Sequence, residues 1–186
     1  CFSPDGEAVE ASNHVVTQVD GAVRDLGDAA LTLVCSGLDI EQVVAGPELG
    51  RRLRYLVAHG RTIGAVCTGA YVLAKYGLLD GYRCTIHWEN IPSFREEFPN
   101  IDITMDIYEI DRTRWTCAGG TAALDMMLRF IAEQGGVALA RKVAEVSLHP
   151  EIRAGKNAQR HDLSYRLGTA NDKLIETVQV MESHIE

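Results

Sequence analysis

The sequence predicts an α/β domain with a mainly parallel sheet flanked by helices. Three observations predict it. Short apolar runs alternate with segments of helical periodicity, the intervening helices are long enough for parallel crossovers, and Gly or Pro marks the junctions. With 186 residues, 46% of them hydrophobic, the chain can bury a core of its own, and its length favours one domain plus some extra.

Along the chain, Ser3-Pro4-Asp5-Gly6 is a turn, and short β-prone stretches follow as far as Val19. Leu31-Thr32-Leu33-Val34-Cys35 is an apolar run expected of a strand buried on both faces, broken at Ser36-Gly37-Leu38-Asp39. From Pro47, the spacing of Leu49, Leu53, Leu56 and Val57 is helical, with Pro in the first turn and Gly60 after the end. Residues 61–66 are a second buried strand, and 68–76 a helix stopped by Gly77. Residues 83–87 are strand-like, and 88–98 a helix with a kink at Pro92. Residues 101–110 and 115–117 form a strand pair around the Asp111-Arg112-Thr113 turn. Ala122, Met126, Leu128 and Ile131 give residues 119–133 strong helical periodicity, and 137–148 make another helix.

Composition changes at His149-Pro150. Residues 149–170 are polar, carry Arg153, Lys156, Arg160 and Arg166, and lack periodicity, so they read as a linker after a domain over 1–148. A last helix begins near Asn171, its N-cap, with Leu174, Val178 and Met181 on one face, and runs on to Glu186 without a stop signal. It reads as the start of a further, truncated domain.

A formal net charge of -8 argues against a broad basic face that grips nucleic acid and suits small-molecule or protein partners. No apolar run approaches the roughly 20 residues of a membrane span. The first twelve residues lack the basic start and apolar stretch of a signal peptide, so the expected location is cytoplasmic. Five cysteines without a CxxC pair argue against a disulfide framework and a structural zinc site. Cys35, Cys67, Cys84 and Cys117 lie in or beside apolar stretches, as reduced core thiols do.

The densest chemical signal is Thr62-Ile63-Gly64-Ala65-Val66-Cys67-Thr68-Gly69-Ala70, a buried strand entering a helix through one nucleophile-type residue among small ones. This is the pattern of a nucleophile elbow, which strains the backbone at Cys67 and holds its thiol at the carboxyl edge of the sheet. Helix N–H groups beginning at Thr68 lower a thiol pKa and bind anions. Equally, Cys67 is a small apolar residue at a tight packing point. His87 ends the next strand in Cys84-Thr85-Ile86-His87-Trp88, on the edge where ligands collect, either as a base for Cys67 or as a cap or pocket wall. No orienting carboxylate is identifiable, for Asp39, Asp80 and Glu89 read as turn, cap or surface charges. In Cys117-Ala118-Gly119-Gly120-Thr121-Ala122 a strand enters a helix through paired glycines, whose N–H groups suit a carboxylate, though tight packing explains them too. Trp88 offers a π-face to an ammonium group or plugs its helix. His14, His59, His149 and His161 form no ligand-spaced pair, so no metal or other cofactor is assigned.

Together the AVCTGAYVLA elbow, GLLDGYRCTIHW, AGGTAALDMMLRFIAEQGG and the closing DKLIETVQVMESHIE resemble AraC-family transcription regulators with an N-terminal class I glutamine amidotransferase-like (PfpI-like) domain. The resemblance runs from Ser3 nearly to the end. It implies a flavodoxin-like fold and a sensor that uses its cavity for an amino acid or quaternary amine rather than for turnover. On this reading Cys67, Thr68, His87, Trp88, Gly119, Gly120 and Thr121 bind the effector. The resemblance also implies a homodimer, and DNA binding by an AraC-type helix-turn-helix domain of which residues 171–186 are the first helix. The family domain normally opens with a further strand–helix–strand that can supply a triad acid, and this chain is expected to lack it. The alternative implied is a PfpI-like cysteine hydrolase or amidase using Cys67 and His87.

Overall fold

The computed structural model describes residues 1–37 and 47–184. The Leu38-Asp39 part of the expected strand break and the last two residues of the closing helix lie outside the described residues.

Four two-residue strands open the chain: β1 (Phe2–Ser3), β2 (Val9–Glu10), β3 (Val16–Thr17) and β4 (Gly21–Ala22). β1 runs parallel to β4, and β2 antiparallel to β3. The expected turn forms because the Ser3 hydroxyl accepts from Gly6 N at 2.9 Å while donating to Glu7 O at 2.8 Å.

The central part runs β5 (Leu31–Ser36), α1 (Pro47–Ala58), β6 (Thr62–Cys67), α2 (Gly69–Lys75), β7 (Arg83–Thr85), α3 (Ile91–Glu97), β8 (Asp102–Thr104), β9 (Tyr108–Asp111), β10 (Arg114–Cys117), α4 (Ala122–Gly135) and α5 (Val137–Val146). One sheet has the order β5-β6-β10-β9, parallel except for the antiparallel β9–β10 pair. β7 pairs in parallel with β8 and is tied to this sheet by Thr85 N donating to Thr116 Oγ1 at 2.9 Å and Arg83 N donating to Asp111 Oδ2 at 2.9 Å. Leu53, Leu56, Ile63, Leu73, Leu79, Ile86 and Phe94 fill one core cluster, while Ile107, Trp115, Cys117, Ala122 and Met126 fill another. The small residues of the elbow are steric necessities: a Cβ at Gly64 would come 2.0 Å from Trp115 O, and one at Gly69 2.2 Å from Val34 O.

Four expectations are corrected. β5 is half-buried with Cys35 exposed, because it is the outermost strand of its sheet among the described residues rather than one covered on both faces. Residues 101–110 hold two strands with different partners, since periodicity marks a strand without naming its neighbour. Pro92 lies in the first turn of α3, after a short 3₁₀ turn over Trp88–Asn90, so it starts the helix instead of kinking it.

The fourth concerns residues 149–160, read above as linker. They pack on the domain as a strap. Ile107 N donates to Gly155 O at 3.1 Å and Asn157 O at 2.9 Å, and Ala158 bridges to Asp106. The Gln159 amide donates to Thr85 Oγ1 (2.9 Å), Ile86 O (2.9 Å) and Asp106 O (3.0 Å). Lack of periodicity here reflects order held by irregularly spaced backbone and side-chain hydrogen bonds rather than by a regular element. Beyond the strap come α6 (Leu163–Leu167) and α7 (Asp172–Ser183), joined by an Arg166–Glu182 ion pair of 2.6 Å. Asn171 caps α7 by accepting from Leu174 N at 3.3 Å, and Leu174 and Met181 are exposed. No helix among the described residues is long and apolar enough to cross a membrane.

Candidate functional site

Cys67 ends β6 with φ at +56°, a left-handed conformation that costs a non-glycine residue about 1–2 kcal/mol. It is therefore a strained elbow between strand and helix, as its small neighbours predicted. Thr68 follows as the N-cap position of α2, but its buried hydroxyl donates away from the elbow, to Gly37 O.

From the neighbouring strand, β10 enters α4 through Gly119 (φ +93°) and Gly120 (φ +55°). A Cβ at Gly119 would come 2.9 Å from Cys67 Cβ and 3.2 Å from its Sγ, so Gly119 lies directly against the Cys67 side chain. Burial pushes the Cys117 thiol up to about 11, against the opposing pull of the Gly119 and Cys67 N–H groups.

His87 stands two residues past β7, its Nδ1 3.5 Å from Glu89 Oε2. That carboxylate is more than half exposed, so solvent screens it as an orienting partner. Asp80 is exposed as well, and Asp39 lies outside the described residues. Trp88 already carries a cation, for the Arg160 guanidinium sits 4.1 Å from its ring centroid.

These pieces border a cavity of about 210 Å³. His87, Trp88, Gly119, Gly120 and Thr121 line it, together with Ile107, Ala118, Ala122, Arg153 and Gln159. Cys67 and Thr68 do not: the half-buried Cys67 lies against Gly119, and Thr68 is turned toward Gly37. The two polar strap residues are the part that sequence reasoning missed. The signal for Arg153 was Asp125, an acid on the apolar face of α4 beside Ala122 and Met126, where a carboxylate requires a partner.

Asp125 is fully buried. Its Oδ1 accepts from Arg153 N at 2.9 Å and lies 2.7 Å from His149 Nε2, while its Oδ2 accepts from Arg153 Nε (2.8 Å) and Nη2 (2.6 Å). Arg153 Nη2 also donates to Thr121 Oγ1 at 2.7 Å, which fixes the guanidinium at the cavity wall. Among the described residues no group of His, Cys, Asp or Glu is arranged to hold a metal ion.

Comparison with known proteins fits this architecture. The DJ-1/PfpI family model matches residues 1–133. The HTH-type transcriptional regulator CdhR of Pseudomonas aeruginosa is 41% identical over 185 residues, covering all of this chain and 55% of that protein. GbdR, another HTH-type transcriptional regulator of P. aeruginosa, is 37% identical over the whole chain and 50% of its own length. The chain thus spans about half the length of the curated relatives it matches. A crystal structure of an AraC family transcriptional regulator from Pseudomonas putida superposes with a TM-score of 0.68 at 32% identity, covering 78% of each chain. The chain belongs to the DJ-1/PfpI family and shares its domain with AraC-family transcriptional regulators.

Proposed function

We propose that this chain is the effector-sensing part of a transcription regulator, and that its cavity takes a small amino acid or quaternary amine. The observation that carries the proposal is the extent of the match to CdhR, which runs through the domain, the strap and α7 alike. A hydrolase of the same family would need only the domain. DNA binding is assigned to an AraC-type helix-turn-helix domain that α7 begins, with the regulator acting as a cytoplasmic homodimer on two half-sites. The site itself favours binding over turnover. Cys67 does not line the cavity, and the carboxylate paired with His87 is solvent-exposed. Polar groups spread around a small cavity suit a ligand with charges at both ends.

A thermal-shift screen of amino acids and quaternary amines tests this reading. A ligand at 100 times its dissociation constant adds roughly 2.7 kcal/mol of stability. Hydrolysis of a simple amide or ester by the full chain, lost in Cys67→Ser, would replace the sensor with an enzyme.

A further inference from the structure

We propose that the Arg153 guanidinium receives the effector's carboxylate, so that the effector binds across the joint between the α/β domain and the strap. The proposal rests on the sensor reading and names the group that selects the ligand. Arg153 is the one side chain of fixed charge among the described residues lining the cavity, and no carboxylate lines it. Its Nε and Nη2 are engaged by Asp125 and Thr121, while its Nη1 makes no hydrogen bond among the described residues. Thr121 is the N-cap position of the 14-residue α4, so the guanidinium stands at the positive end of a helix dipole. The N–H groups of Gly120 and Thr121 find no acceptor among the described residues, and both residues border the same space.

A fixed guanidinium, a helix N-terminus and two unused N–H groups all favour an anion of carboxylate size. This moves the anion end of the ligand away from Thr68, whose seven-residue helix α2 does not reach the cavity wall. Asp125 positions the receptor. It holds the main-chain N–H of Arg153 as well as the side chain, so the strap and the guanidinium are placed together. Gln159, a few residues on, lines the same cavity. Ligand bound to Arg153 therefore holds down the segment that leads into α6 and α7. Strap docking and ligand binding stabilise each other by the same factor.

The test uses two ligand pairs that differ only in the carboxylate: L-arginine with agmatine, and glycine betaine with tetramethylammonium. Calorimetric titration of the full chain should show at least tenfold tighter binding of the carboxylate member of whichever pair binds. In Arg153→Gln that ratio should fall to near one. Should Arg153→Gln fail to fold, the double variant Asp125→Asn/Arg153→Met removes both charges of the buried pair while keeping an amide oxygen for the main-chain N–H of residue 153 and for His149, and the same collapse is expected. The carboxylate ligand at 100 times its dissociation constant should also slow tryptic cleavage after Lys156 by about a hundredfold in the wild type. A purely structural Arg153 would leave the carboxylate preference intact in a folded variant, and that result overturns the proposal while the sensor reading stands. A wild type that binds no member of either pair, nor any other amino acid or quaternary amine in the thermal-shift screen, defeats the sensor reading itself, and the proposal with it.

Discussion

Replacing Asp125 with alanine is the most direct perturbation of the bond between domain and strap. The substitution removes the shared acceptor of Arg153 N, Nε and Nη2, and strands His149 Nε2 beside them. Removing one partner of a buried ion pair costs about 3–5 kcal/mol. The lower end applies here, because nearly a third of the Arg153 side chain is exposed and strap release returns both donors to water. A loss of about 3 kcal/mol lowers the melting temperature of a domain this size by roughly 6–12 °C. Strap opening becomes about a hundredfold more frequent, since each 1.4 kcal/mol is a factor of ten. Urea unfolding followed by tryptophan fluorescence reads the first quantity, and the initial rate of tryptic cleavage after Lys156 reads the second. A loss under about 1 kcal/mol with cleavage within threefold of wild type would mean that Asp125 does not hold the strap.

Gly119→Ala places a Cβ 2.9 Å from Cys67 Cβ at a φ of +93°, and a loss of about 1–3 kcal/mol in urea unfolding is expected, against no change if the loop yields. Cys84 and Cys117 are buried, with thiols pushed up to about 12 and about 11, so at pH 8 they should resist a thiol reagent that modifies exposed Cys1. Mass spectrometry of the labelled chain decides this, and early labelling of Cys117 would count against the described packing. The same shifts make stability fall between pH 9 and about 12, where the unfolded state releases thiol protons that the native state still holds, by up to about 1.4 kcal/mol per pH unit for each thiol. Where a quaternary amine binds, Trp88→Ala should weaken it about tenfold in a calorimetric titration, and an unchanged affinity would leave the ring to Arg160 alone.

The elbow was legible because its causes are local. A strand that must turn sharply into a helix under its neighbour's backbone requires small residues, and Gly64, Gly69 and Ala70 announce it. The β10–α4 junction was legible for the same reason, its paired glycines both adopting positive φ. What was not legible depends on partners. Nothing within Leu31–Ser36 says that β5 lies outermost in its sheet among the described residues, and nothing near Asp102–Thr104 says that its neighbour is β7 rather than β10. The strap was hidden most completely. Arg153 is 28 residues from Asp125, and an acid on an apolar helix face signals that a partner exists without saying which of several arginines supplies it.

The reach of Gln159 has a consequence for the order in which the molecule assembles. Its amide joins groups 74, 73 and 53 residues earlier, so none of these bonds can form until β7 and the chain before β9 are in place. Such closures carry their entropic cost before any contact repays it, and they belong to the final stage of folding. The segment that docks last fills no layer of the core, so its release leaves both clusters intact. During synthesis the strap leaves the ribosome after every group it must find, and α6 and α7 follow it. The strap that leads into α6 and α7 thus gains its seat only once the domain before it is complete, so an unfinished domain leaves it unanchored.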